Sequence, residues 1–258
     1  MDNHITQLIQ PHTGDIHQTV PVTEGYGAST TAVITGTRGE FFVKATPNRA
    51  GGHLDAARRE AAVNPAVRTL SPALQWQVEN EEWFVLGFEV VQGRTADITP
   101  GSADLPRIID AVDQLAAVPL PEVAEGWEDV RWDRFATKEE QQLLRGDALT
   151  HTDLHEHNVL LGEERTWIVD WEWPTRGAEA LTPSCLAVQL VAAGHSPAAA
   201  EGWVAGCQAW KRATPESLDA FARANARLHH YFAELRSEEK WLADMAVAAQ
   251  AWAEHRCA

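Results

Sequence analysis

The chain changes character once, at Gln92-Gly93-Arg94. Before that point, short β-prone runs alternate with turns. Ala32-Val33-Ile34-Thr35 and Phe41-Phe42-Val43-Lys44-Ala45 flank Gly36-Thr37-Arg38-Gly39, the pattern of a β-hairpin. An Ala/Arg/Glu-rich stretch at 53–63 reads as a helix that Asn64-Pro65 should end. Two further β-prone runs, 74–78 and 83–91, enclose the polar turn Glu79-Asn80-Glu81-Glu82. Residues 23–91 thus read β-β-α-β-β, preceded by a lead-in over 1–23 with a short amphipathic stretch at 5–9. After Arg94 the chain is mainly helical. Helices are expected at 104–117, partly over 127–145, and at 179–193, 197–211, 215–235 and 237–254. One β-rich insert interrupts them at 148–170. The expected class is α+β, with a small antiparallel sheet carrying one helix in residues 1–91 and a larger helical part in 92–258.

Composition narrows the function. Acidic residues outnumber basic ones 37 to 21, for a formal net charge of −16. Nucleic acids and membrane surfaces are polyanions that such a chain repels, so neither is an expected partner. A small cationic substrate would be attracted. Cys185, Cys207 and Cys257 show no paired spacing and suit reduced thiols in a cytoplasmic protein. No run approaches the ~20 apolar residues of a membrane span. Met1-Asp2-Asn3-His4 is not the basic start of a secretory signal. The only lysines are Lys44, Lys138, Lys211 and Lys240. Lys44, alone among the first 137 residues and set in an apolar strand, is a candidate functional residue.

The densest chemistry lies in His151-Thr152-Asp153-Leu154-His155-Glu156-His157-Asn158, followed by the apolar Val159-Leu160-Leu161. Phosphoryl transfer to a hydroxyl needs a carboxylate to orient the acceptor and take its proton, and oxygen ligands to hold Mg²⁺ on the nucleotide phosphates. Asp153 and Asn158, five residues apart on a loop entering a strand, can meet both needs. The segment fits the pattern H-R-D-L-x-x-x-N with Thr152 in place of arginine. Twelve positions after Asn158, Ile168-Val169-Asp170-Trp171-Glu172-Trp173 places acids at the end of a short apolar strand. Asp170 is a second metal-ligand candidate and Glu172 a third.

Together these segments resemble the aminoglycoside phosphotransferase and choline kinase superfamily, whose fold is similar to that of protein kinases. Its loop reads H-x-D-x-x-x-x-N and its metal segment D-x-[DE]. The resemblance implies a two-lobed kinase-like fold, Asp153 as catalytic base, and Asn158 and Asp170 as metal ligands. It extends to the first part of the chain. There Lys44 looks like the strand lysine that contacts nucleotide phosphates, with Glu60 as its ion-pair partner. Residues 25–31, with Gly25, Gly27, Ser29 and Thr30, look like the loop over the phosphates. Phe88, Glu89 and Val90 look like the strand end and hinge whose backbone would bind adenine. The implied cofactors are Mg²⁺ and ATP, with GTP as an alternative. One departure is Pro183-Ser184-Cys185-Leu186-Ala187, where many members of the family carry an acid.

The expected reaction is transfer of the ATP γ-phosphoryl group to a hydroxyl of a small cationic molecule, aminoglycoside-like or an amino alcohol, as in antibiotic resistance. The acids Glu201, Glu216, Asp219, Glu234, Glu238, Glu239, Asp244 and Glu254 of the late helices motivate the cationic choice. Alternatives are a kinase for Ser/Thr of a peptide or protein and a nucleotide-binding scaffold without turnover. A metal hydrolase built on His151, Asp153, His155 and His157 is the rival from another reaction class. The sequence leaves the acceptor and the oligomeric state open.

Overall fold

In the computed structural model, residues 2–22, 29–128 and 130–257 are described. The chain divides into two units, one of residues 1–93 and 169–172 and the other of 94–168 and 173–258.

The first unit is built on a five-stranded antiparallel sheet. Its elements are helix α1 (Asn3–Thr13), strands β1 (Ile16–Val22), β2 (Thr30–Gly36) and β3 (Gly39–Pro47), helix α2 (Gly52–Val67), and strands β4 (Leu74–Glu79) and β5 (Trp83–Glu89). The sheet order is β1-β2-β3-β5-β4. Helix α1 is capped by Asp2, whose side chain accepts from the His4 N–H, and its Ile5 and Ile9 reach the sheet. Alternation along β3 and β5 sorts the two faces. Val43, Ala45 and Val85 join Ile5 and Ile9, whereas Phe84, Leu86 and Phe88 join Leu54 and Ala57 of α2. Gly87 is needed because a Cβ there would lie 2.1 Å from Trp76, whose indole stacks on His12.

Three departures from the sequence reading have physical causes. The lead-in contains the full helix α1 and strand β1. That strand is nearly all exposed, lies at the sheet edge and carries Pro21, so neither face shows a buried alternation. Helix α2 runs through Pro65 to Val67, against the expected stop at Asn64-Pro65. Val63 and Val67 are buried on either side of it. The Asn64 amide donates to Pro72 O and accepts from Leu74 N, so the helix end is anchored to β4. Packing here outweighs the missing proline donor.

The second unit opens with strand β6 (Arg94–Thr95) and helix α3 (Leu105–Ala116), and continues with α4 (Lys138–Leu144), β7 (Ala148–His151), β8 (Val159–Leu161), β9 (Thr166–Ile168) and β10 (Pro174–Gly177). Helices α5 (Leu181–Ala192), α6 (Pro197–Val204), α7 (Gln208–Arg212), α8 (Pro215–Leu235) and α9 (Lys240–Arg256) follow. The helix expected at 197–211 is two, broken at residues 205–207. Strands β6, β8 and β9 form one small sheet and β7 and β10 another. The β8–β9 hairpin turns at Gly162, whose N–H donates to Arg165 O. Helices α5, α8 and α9 pack on one another around Phe221 and Trp252. No described helix is long and apolar enough to cross a membrane.

Candidate active site

In the first unit the decisive side chains are charged residues inside apolar elements. Lys44 lies on the α2 face of β3, between Val43 and Ala45, which face α1, and is 8% exposed. Glu60 lies in the buried stripe of α2 formed by Ala56, Val63 and Val67, and is 4% exposed. Neither charge is tolerable there alone. The Lys44 ammonium donates to both Glu60 oxygens, at 3.1 and 3.0 Å, as expected from the sequence.

Residues 169–172 add two further carboxylates. Lys44 Nζ donates to Asp170 Oδ1 at 2.6 Å and approaches Glu172 Oε1 at 3.5 Å. The Trp171 N–H donates to Glu60 Oε1 at 3.2 Å, tying the segment to α2. Asp170 adopts a left-handed backbone, φ 61°, the one non-glycine residue to do so among those described. This conformation is costly for an L-residue, and aspartate accepts it more readily than most.

One ammonium faces three carboxylates. Burial disfavours the Lys44 charge, but Glu60, Asp170 and Glu172 outweigh burial and raise its pKa above the usual lysine value. Burial likewise raises Glu60, to about 7, with Asp170 and Glu172 adding to the rise against the pull of Lys44. Glu172 is also raised, first by burial and then by Asp170, despite Lys44. The cluster holds surplus negative charge that a divalent cation would neutralise. Ligand oxygens of Glu60, Asp170 and Glu172 lie within 4.8 Å of one another, the sole such group of His, Cys, Asp or Glu among the described residues. All are hard oxygen donors of the kind Mg²⁺ takes. Glu60 is committed to Lys44 and Trp171, so Asp170 and Glu172 are the ligands it leaves available.

The remaining candidates of this unit are less committed. The Ser29 hydroxyl hydrogen-bonds Thr46 Oγ1 at 2.8 Å, and Thr30 pairs with Ala45 across the hairpin. Gly25 and Gly27 lie outside the described residues. Phe88 keeps its ring in the core, the Glu89 N–H donates to Ala73 O at 2.9 Å, and Val90 lies just past the end of β5.

In the second unit, β7 ends at His151, whose N–H donates to Thr182 Oγ1 of α5 at 3.0 Å. The Thr152 hydroxyl donates to Trp173 O at 2.7 Å. These bonds fix the start of the loop that carries Asp153. A 3₁₀ turn at Glu156–Asn158 then leads into β8. The Asn158 amide nitrogen donates to Asp153 O at 2.9 Å, which orients the amide with Oδ1 as its acceptor end.

Arg131 was not singled out in the sequence. Its Nη1 donates to Thr152 O at 2.7 Å and to Asp153 Oδ1 at 2.9 Å. Burial acts against the Asp153 charge, but Arg131, His155 and His151 outweigh it and hold the carboxyl below its usual range. Asp153 is therefore ionised and ready to accept a hydrogen bond. The available clue was Thr152 itself: the loop lacks the arginine of the H-R-D pattern, and a guanidinium reaches it from residue 131 instead.

A cavity of about 30 Å³ adjoins Asp153, lined also by Arg131, Gln189, Asn225 and His229. The acids expected to line such a space do not do so. Glu201 and Asp219 bind Arg256, Glu234 pairs with His230, and Glu239 pairs with Arg236. Glu216, Glu238 and Asp244 are exposed. The histidine cluster of the hydrolase reading also fails to assemble as a ligand set. His155 and His157 meet edge to face at 5.8 Å, and the Asp153 carboxylate lies 3.9 Å from His155.

His229 supplies a pH-dependent prediction. Burial, and then Arg131, lower its pKa to about 4. The unfolded chain therefore takes up this proton first, near pH 6.5, and the folded chain only near pH 4. Stability from this group is full above pH 6.5 and is lost as pH falls toward 4. His229→Gln should flatten the melting temperature across that window, measured by thermal denaturation at closely spaced pH values. An unchanged pH slope would contradict the assignment.

Many solved structures share this fold, and three illustrate the likeness. Spectinomycin phosphotransferase APH(9)-Ia, in complex with ADP and spectinomycin, has a TM-score of 0.64 at 11% identity, covering 98% of this chain and 94% of that one. Aminoglycoside phosphotransferase APH(4)-Ia has a TM-score of 0.66 at 14% identity, covering 97% of each chain. Choline kinase LicA from Streptococcus pneumoniae has a TM-score of 0.66 at 10% identity, covering 98% of this chain and all of that one (100%). No protein-family model matches the chain, and no curated protein matches it in sequence. The fold is that shared by the aminoglycoside phosphotransferases and choline kinase.

Proposed function

We propose that this protein is a Mg-ATP-dependent phosphotransferase that moves the γ-phosphoryl group to a hydroxyl of a small molecule. The observation that carries the reading is the Lys44–Glu60–Asp170–Glu172 cluster. Buried charge is expensive, and a folded chain keeps three carboxylates around one ammonium at a cost that a phosphate-bound cation would offset. Lys44, held by Glu60, contacts the nucleotide phosphates. Asp170 and Glu172 are the ligands for Mg²⁺, with Asn158 a further candidate by its place in the H-x-D-x-x-x-x-N pattern. When bound, Mg²⁺ neutralises charge on the phosphates and draws electron density from the γ-phosphorus.

Asp153 accepts the hydrogen bond of the acceptor hydroxyl and takes its proton as the new P–O bond forms. The bond between the γ-phosphorus and the bridging oxygen breaks, and that electron pair leaves with ADP. Catalysis is then mostly positioning and charge neutralisation.

The ligands of the fold relatives support a small molecule over a peptide. APH(9)-Ia holds ADP and spectinomycin, and a form of APH(4)-Ia holds AMP-PNP and hygromycin B. An aminoglycoside-like or amino-alcohol acceptor draws on this likeness and on the net charge, but not on the late-helix acids, which bind their own neighbours or face solvent. The test is nucleotide consumption with labelled ATP against panels of aminoglycosides, small alcohols and peptides. Acceptor-dependent transfer to a small alcohol is the expected result. Transfer to peptides alone would replace this reading with a peptide kinase, and nucleotide binding without turnover would leave a scaffold.

A further inference from the structure

The cavity beside Asp153 belongs wholly to the second unit and has an unusual charge balance for an acceptor site. Among the described residues its only carboxylate is Asp153, which already accepts from Arg131, and its only fixed cation is Arg131. A guanidinium has five N–H donors, and the bonds of Arg131 to Thr152 O and Asp153 Oδ1 both use Nη1. The His229 Nδ1 is buried with no hydrogen-bond partner. Asn225 Oδ1 accepts from the Trp132 indole, which leaves its amide N–H groups to donate. The Cys185 thiol donates a hydrogen bond to Thr152 O at 3.7 Å, and burial raises its pKa to about 12, so it adds no negative charge.

An ammonium entering this space would face a guanidinium with no free carboxylate to pair it. An anion would meet unused donors from three side chains. A volume of about 30 Å³ suits a small planar group. Planar, bidentate recognition by arginine is the arrangement that favours carboxylates.

We propose that this cavity anchors the acceptor by a carboxylate, held by Arg131 and His229, so that the acceptor is a hydroxy acid whose alcohol reaches Asp153. This deepens the phosphotransferase reading and rests on it. Asp153 keeps its role as base, and Arg131 gains a second one: its Nη1 arm holds the catalytic loop while its other donors take the substrate. His229, neutral at ordinary pH, serves as an N–H donor through Nδ1.

The test uses the full chain and three matched probe sets: short ω-hydroxy carboxylates such as 4-hydroxybutanoate, their primary amides, and the corresponding amino alcohols. The melting-temperature rise with Mg²⁺ and AMP-PNP is measured first. Phosphate transfer is then followed as kcat and KM for each probe. The carboxylates should be preferred over amides and amino alcohols by roughly tenfold or more in kcat/KM, the scale of one hydrogen bond to a charged group. Arg131→Lys keeps a cation for Asp153 but loses the fork, so it should erase most of that preference chiefly through KM. His229→Leu should weaken it in the same sense while leaving Arg131 in place. A preference for the amide or the amino alcohol would overturn the proposal. So would a preference untouched by both substitutions, or the absence of transfer to any carboxylate. If Mg-AMP-PNP itself fails to raise the melting temperature, the phosphotransferase reading falls as well; if it succeeds and carboxylates are not favoured, only the anchoring proposal falls.

Discussion

Asp153→Asn is expected to lower kcat by roughly 10²- to 10⁴-fold, the usual contribution of a positioned general base, with little change in nucleotide affinity. The amide can still accept a hydrogen bond from the acceptor hydroxyl, but it cannot take the proton at neutral pH. The fold should survive because the Asp153 side chain is partly exposed and Arg131 retains its bond to Thr152 O. Stopped-time assays under saturating nucleotide would read the loss in kcat, and titration of AMP-PNP would read affinity. Near-normal turnover would remove Asp153 from its role.

The second large effect is expected at Asp170. Asp170→Ala should reduce Mg-ATP turnover at least about 10³-fold, on the scale of losing a principal charge-stabilising group. EDTA should do the same to the wild-type protein. Two consequences of this substitution must be separated, because Asp170 also holds a left-handed backbone at φ 61°. Alanine resists that conformation, whereas glycine adopts it freely. Asp170→Gly therefore removes the carboxylate and relieves the strain. If activity is lost equally in both variants, the missing oxygen ligand is responsible. If glycine restores turnover, backbone geometry was the cause and the metal role is wrong. Excess Mg²⁺ should raise the melting temperature of the wild type and of neither variant.

Much of this architecture was legible because its signals are local. The β2–β3 hairpin has a glycine turn between two apolar runs, and β4 and β5 flank a polar one. Lys44 and Glu60 could be paired in advance because the kinase-like resemblance supplies the pairing: a lysine in an apolar strand with a glutamate on the following helix. The features that escaped notice have no local signature. Strand β1 buries neither face, so no alternation marks it. Pro65 breaks a helix by the usual rule, yet the amide bonds of Asn64 and the buried valines around it hold the last turn. Arg131 lies in a turn ahead of α4, and its partner is 22 residues away on another element. The late-helix acids were visible, but the pairing of Glu201 and Asp219 with Arg256 of α9 was not. Charge read along a sequence cannot distinguish a substrate-facing carboxylate from one already spoken for.

The four residues 169–172 have a consequence for how the protein comes into being. They complete the first unit, but Asp170 is synthesised 126 residues after Lys44. While the chain is still emerging from the ribosome, Lys44 and Glu60 can close as a neutral couple, and the early sheet can assemble around them. The anionic excess that would capture a metal arises only when the later segment returns to that couple. On the proposed function, synthesis order then acts as a safeguard: a partly made chain has a sheet and a lysine but lacks Asp170 and Glu172, the carboxylates proposed to hold Mg²⁺.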